Sequence, residues 1–366
     1  MKKRILQIIP TLDRAGAERQ MSLLARGLPR EEFDVHVCAL VRGGPLLAEL
    51  ATSGVPATVI GQRWPLDPRA YWRLRCHLAR LRPDLIHTWR FAANAYGHAA
   101  GRACGVKYLV AAERCLDPGK GPFERAVDRY LARHSSRVVV NGADVRDFYV
   151  RDGLPAEKVC VIPSGVAAAG PPGNTRRQLL AELGLPQQSR LVGLVARLRP
   201  RQRIKDAIWA ADLLKVIRDD VHLLVVGDGP HRDRLWKFRD QVLIRDKVHF
   251  LGERGDVPRL LPHCDVFWST SAQAGQSNAI LEAMAAGVPV VATDIPGTRD
   301  LVVHETSGCL VPVGDRAGFT RWTNKLLDDA ALARRLGGAG QQRALREFSV
   351  EKMIERHAAL YRELLG

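Results

Sequence analysis

The feature that most narrows what this chain can fold into is an alternation that runs through it twice. Short apolar runs (RILQIIP, FDVHVCAL, PATVI, DLIHTW, YLVAA and RVVVN in the first half, RLVGLVARL, VHLLVVGDGP, HFLG, DVFWST and PVVAT in the second) are separated by helix-periodic segments. Most of these runs are apolar throughout rather than at every second residue. That pattern predicts strands buried on both faces, and helices between them predict βαβ units in a parallel sheet. Between the two series, KVCVIPSGVAAAGPPGNTRR gathers Gly, Pro and Ala as linkers do, which places a boundary near Pro171. A chain of 366 residues can bury more than one core. The expectation is therefore α/β, with two Rossmann-like domains over 1–168 and 175–348. The last segment, EKMIERHAALYRELLG, puts Met353, Ile354, His357, Leu360, Tyr361 and Leu364 on one face of a helix over about 350–366.

Charge narrows the partners. The net charge is +16, and residues 1–165 hold 26 Lys/Arg against 16 Asp/Glu. Such a surface suits an anionic membrane, a nucleic acid or a polyanion, and an Arg-rich composition bias explains it equally well. ARLRPRQR lacks interleaved aromatics, which argues against nucleic acid. No apolar run approaches the ~20 residues of a membrane span, and the start turns polar where a signal peptide would continue. A cytoplasmic protein, in peripheral contact with the inner face of an anionic membrane at most, is expected. Seven scattered cysteines, with no CxxC pair, read as reduced buried thiols rather than disulfides or a metal site.

The strongest chemical signal is STSAQAGQSNAILEAMAAGVPVVATDIPGTRDLV, residues 269–302. A strand ends in a small-polar loop and a helix begins near Ser277–Asn278. Its unpaired backbone N–H groups and macrodipole make a site for a diphosphate. Glu282, one turn in, can accept from both hydroxyls of a ribose.

This run resembles the nucleotide-sugar-binding core of family 4 glycosyltransferases, commonly EGxSNxxLEAMAxGxPVVA. The resemblance implies the GT-B fold, with parallel sheets facing across a cleft and the final helix crossing back onto the first domain. It implies transfer of a sugar, with retention, from a UDP- or GDP-linked donor to a hydroxyl of a glycan or lipid-linked glycan, as in polysaccharide biosynthesis, with no cofactor and no metal. Glu282 falls on the glutamate that binds ribose, and Gly275, Gln276, Ser277, Asn278, Ala279, Ile280 and Leu281 on the segment that meets the diphosphate. LVARLRPRQRIKD resembles a second signature, in which Arg197 falls on a diphosphate-gripping Arg. Gln202 stands where its Lys is expected, with Arg203 beside it. TLDRAGAE resembles a GGxE loop under the donor, with Gly16 and Ala17. VVGDGP and HFLGERGD resemble turns flanking the base, bringing in Gly252 and Arg254. PDLIHTWRFAANAYG and AAERCLDPGKG resemble reacting-centre and acceptor segments, with His87 catalytic and Trp89, Glu113 and Arg114 toward the acceptor.

Three departures accompany the match. Ala274 takes the catalytic position of the family's first glutamate, Gln202 that of the lysine, and Trp89 and Ala92 those of histidines. Two readings therefore stand: an active transferase, or an altered GT-B protein that keeps nucleotide binding with weak or no transfer.

Overall fold

The computed structural model describes residues 2–366 except 115, 117–119, 171–174 and 274. The chain divides into two compact units, Met1–Gly165 with Val350–Gly366, and Val166–Ser349. The division falls before the Gly- and Pro-rich stretch because Val166 already bonds into the second unit: its N–H donates to the Phe348 carbonyl at 2.7 Å. Pro171 lies outside the described residues.

In the first unit the strands are β1 (Lys3–Thr11), β2 (Phe33–Arg42), β3 (Ala57–Val59), β4 (Leu85–Trp89), β5 (Tyr108–Glu113), β6 (Arg137–Val140) and β7 (Val159–Val161). They form one parallel sheet in the order β3-β2-β1-β4-β5-β6-β7, with Ile5 level with Val35 on one side and Leu85 on the other. Helices cover both faces, so consecutive residues of β1 (Ile5 and Leu6, Ile8 and Ile9) are all fully buried. In the second unit β8 (Arg190–Val195), β9 (Val221–Val226), β10 (Val248–Gly252), β11 (Val266–Ser269), β12 (Val290–Thr293) and β13 (Cys309–Val311) run parallel in the order β10-β9-β8-β11-β12-β13. Both units are Rossmann-like α/β domains. In each the winding reverses once, between β1 and β4 and between β8 and β11. Ligands of such sheets bind outside the carboxyl ends of the strands at that reversal.

The last helix, Val350–Leu365, belongs to the first unit. Met353, His357, Ala358, Leu360 and Tyr361 are buried against the sheet side that also carries the helix Gly16–Gly27. Gly27 lets the two helices approach closely: a Cβ there would lie 2.1 Å from Cδ1 of Ile354 and would push that side chain aside. Arg362 forks onto the Glu32 carboxylate at 2.7 and 2.8 Å, at the rim of this contact.

Beneath the helix lies a buried polar chain. The Trp89 indole N–H donates to Gln7 Oε1 at 2.7 Å, Gln7 Nε2 donates to the Tyr361 hydroxyl at 2.9 Å, and that hydroxyl lies 2.6 Å from His87 Nδ1. The His87 ring stacks on Trp89 at 4.8 Å and lies 5.7 Å from the His357 ring. Burial, reinforced by His357 and Arg114, holds His87 well below the usual histidine range, and burial takes His357 down to about 4. Both rings are thus neutral in the fold, whereas an unfolded histidine takes a proton near 6.5. A pKa depressed by folding gives stability that is complete above the unfolded value and is lost as pH falls toward the folded one. Between about pH 6.5 and 4 the first unit is expected to lose about 3 kcal/mol through His357 alone. Urea unfolding of His357→Leu checks this: its midpoint falls less on acidification than that of the unmodified chain, and equal falls refute the assignment.

Candidate functional site

The second unit presents its reversal point between two loops. After β8 the chain runs through Arg197 into the helix Ile204–Ile217, and after β11 it reaches the helix Asn278–Ala285. Ser277 caps the latter, its extended backbone turning the side-chain oxygen back to accept from the Ile280 N–H at 3.4 Å. Ile280, Leu281, Ala283, Met284 and Ala285 are buried, which fixes the axis of the helix and keeps its first turn at the carboxyl end of the sheet. Gly275 and Gln276 are buried in the approach, and Ser277, Asn278, Ala279 and Glu282 are half-buried. Ala274 lies outside the described residues.

The two loops are sewn together. The Thr270 hydroxyl donates to the Gln202 carbonyl at 2.8 Å, the Ser271 hydroxyl donates to Gln202 Oε1, and the Ala272 N–H donates to the Arg201 carbonyl at 2.9 Å. Gln202 therefore brings no charge to the site as a lysine would: its side-chain oxygen ties one loop to the other. Two neighbouring cations are engaged too. Arg203, at a left-handed φ of 51°, pairs with Asp206, which also holds Arg316 at 3.0 Å, and the Lys205 ammonium lies 4.6 Å from the Phe238 ring centre. Arg197 differs. Its side chain is exposed, and among the described residues it has no hydrogen-bond or ion-pair partner.

A third loop closes the other side. Gly227, at a φ of 129°, packs so tightly that a Cβ would lie 2.1 Å from the Ala196 carbonyl oxygen, and its N–H donates to the Gly252 carbonyl at 2.7 Å. The turns after β8, β9 and β10 thus form one backbone assembly. Arg254 is tied down beside it, with two bonds to Asp256 at 2.9 and 2.7 Å and one to Glu182 at 3.0 Å, and these partners raise its already high pKa.

In the first unit the reversal point lies between β1 and β4. Ala15, at the N-cap of the helix Gly16–Gly27, makes no side-chain cap, and the Gly16–Ala17 turn lies at the carboxyl end of β1. Glu18, 1% exposed, accepts from Arg90 at 2.9 Å through Oε1, while Oε2 is buried with no hydrogen-bond partner among the described residues. Arg90 itself adopts φ 74°, ψ 156°, a conformation that costs a non-glycine residue about 1–3 kcal/mol. The sequence did not single out this pair, because no spacing signals a strained arginine.

His87 and Trp89 are completely buried in the polar chain under the last helix. Arg114 lies 5.5 Å over the Trp89 ring and donates to the Ser164 hydroxyl. Glu113 sits apart from them, accepting from Asn94 at 2.8 Å and Tyr149 at 3.1 Å, with the Lys120 ammonium 3.7 Å away. Burial, with Asp128 adding to it, pushes the Glu113 carboxyl up to about 7 against the opposing pull of Lys120. Cys115 and residues 117–119 of this segment lie outside the described residues.

Two family models match the chain and between them cover both units: Glycosyltransferase Family 4 over residues 14–169 and Glycosyl transferases group 1 over residues 175–343. The chain belongs to the family 4 glycosyltransferases. Among solved structures, this family 4 chain superposes on Anabaena HepE in complex with UDP, with a TM-score of 0.85 at 24% identity, covering 99% of this chain and 100% of that one. That likeness establishes the GT-B fold. A UDP-Gal:alpha-D-GlcNAc-diphosphoundecaprenol alpha-1,3-galactosyltransferase of Escherichia coli is 25% identical over 98% of this chain and 96% of its own. An N-acetyl-alpha-D-glucosaminyl L-malate synthase of Bacillus anthracis is 30% identical over 189 residues, 51% of this chain and about half (49%) of the relative. No helix among the described residues is long and apolar enough to cross a membrane.

Proposed function

We propose that this chain transfers a sugar, with retention, from a UDP- or GDP-linked donor to a hydroxyl of a glycan or lipid-linked glycan. The observation that carries the reading is the pairing, at the reversal point of the second sheet, of Arg197, exposed and without a side-chain partner among the described residues, with the Ser277-capped helix start. Both supply positive potential where a leaving diphosphate gains charge, and neither needs a metal. Glu282 takes the ribose, and the glycines after β9 and β10 bring backbone close to the base. UDP bound to HepE and the UDP-galactose and lipid-diphosphate of the Escherichia coli relative's name support this choice of donor and acceptor. His87 and Trp89, buried beneath the final helix, support the first unit rather than touch the sugar.

A second reading, nucleotide binding without transfer, draws on Gln202: it carries no charge and its side-chain oxygen is bonded between the loops, and Arg203 and Lys205 are engaged, so none of the three replaces the missing lysine charge. Thermal unfolding with UDP, GDP and ADP, followed by release of nucleotide from a panel of their sugars, separates the two. A nucleoside diphosphate at a hundred times its Kd is expected to stabilise the chain by about 2.7 kcal/mol. Release from one donor supports transfer. Stabilisation without release, with release restored by Ala274→Glu, supports the second reading, and no stabilisation by any diphosphate overturns both.

A further inference from the structure

The segment from Gly61 to Arg82 in the first unit plays no part in the donor site, yet it is built to hold apolar side chains in solvent. It opens with a loop leaving the carboxyl end of β3 and continues as the helix Pro68–Leu81. Trp64 is 50%, Leu66 84% and Trp72 66% exposed. Folding gains little from the faces left in solvent, and the loop that carries two of them is braced rather than slack. Buried Gln62 donates from below to the Trp64 carbonyl at 3.1 Å and the Pro65 carbonyl at 3.3 Å. The Asp67 carboxylate accepts from the Arg63 N–H at 3.1 Å and caps the helix through Arg69 and Ala70 at 3.0 and 3.1 Å. On the helix, Ala70, Leu74 and Leu78 face the core. Arg69, Trp72, Arg73 and Arg80 are left on the opposite, exposed side.

The charge of the segment is one-sided. It holds six arginines and a single acidic residue, Asp67, which is buried in the cap. Among the described residues none of Arg63, Arg69, Arg75, Arg80 or Arg82 has an acidic partner. Two tryptophans and a leucine interleaved with unpaired arginines match a bilayer interface, where the indoles sit at headgroup level and the guanidiniums meet lipid phosphates. We propose that this loop and helix face dock the first unit onto an anionic lipid surface. A nucleic acid would reward the arginines but offers nothing to Leu66. The loop leaves the same end of the sheet as Gly16 and Arg90, so docking brings the open end of the first unit to the membrane. The proposal stands independently of the sugar-transfer reading.

Sedimentation of the full chain with vesicles of phosphatidylcholine, alone or mixed with phosphatidylglycerol, tests it. The chain is expected to bind the mixed vesicles, to bind the neutral ones far less, and to come off as salt rises. The triple variant Trp64→Ala, Leu66→Ala, Trp72→Ala, and separately Arg63→Ala, Arg69→Ala, Arg80→Ala, should each lower binding by about tenfold or more. All six side chains are exposed, so the thermal melt and the response to nucleoside diphosphates should hold, which separates loss of docking from loss of fold or of the donor site. No binding to the mixed vesicles at low salt, binding that neither variant lowers, or retention of RNA in place of vesicles through the same arginines overturns the proposal.

Discussion

Replacing Arg197 by Ala is expected to weaken nucleoside diphosphate binding by about ten- to a hundredfold, the loss of a hydrogen-bonded pair between charged groups. The size follows from what surrounds it. Arg203 is paired with Asp206, Lys205 sits over Phe238, and Gln202 bonds Ser271, so none of these three can swing in without breaking a contact. The Arg197 side chain is also exposed, so its removal opens no cavity and the melting temperature without ligand should stay put. Calorimetric titration with the diphosphate that stabilises the unmodified chain measures the loss. Where a donor is turned over, kcat should fall further than binding, by about two to three decades, because charge on the diphosphate grows in the transition state. An Arg197→Ala chain that binds diphosphate as well as its parent would remove Arg197 from the site. Arg197→Lys should recover part of the binding, since a single ammonium keeps the charge but not the fork.

The sequence made the architecture legible because the information needed was local. Apolar runs such as RILQIIP and VHLLVV announce strands buried on both faces, and Ser277 ahead of an Ala- and Leu-rich run announces a capped helix. What stayed hidden depends on contacts between distant segments. Gln202 reads as a lost lysine, and only the nearness of Ser271 shows that its side chain has other work. His87 and Trp89 lie two residues apart on β4 and so share a face, which the sequence gives, but the groups on that face, Gln7 and Tyr361, come from opposite ends of the chain. Arg90 offers no signal, because a left-handed backbone is unmarked when the residue is not glycine or asparagine. The helix Pro68–Leu81 shows its periodicity in sequence, but not that the loop before it is braced with Trp64 and Leu66 outward.

The larger structural prediction concerns Tyr361, where the two ends of the chain meet. Its ring is fully buried, edge-on to Phe33 with centroids 6.0 Å apart, and its hydroxyl joins Gln7 to His87. Tyr361→Ala removes the ring, leaves a cavity and orphans two buried polar side chains, a combination worth about 3–5 kcal/mol. Tyr361→Phe keeps the ring and isolates the polar part, about 1–3 kcal/mol. With two units one melting curve does not report the effect cleanly, so amide hydrogen exchange is the better measurement. Exchange over Val350–Leu365 and β1 should quicken strongly in the Ala variant and moderately in the Phe variant, while β12, in the other unit, keeps its protection. Uniform quickening over both units would mean that the last helix does not stabilise the first unit selectively. The contrast between the variants also bears on why a polar chain lies under this helix at all. An apolar face alone tolerates sliding of a terminal helix by a turn, whereas Gln7 and His87 can be satisfied together only when Tyr361 sits between them, so the hydroxyl sets the register that the ring stabilises.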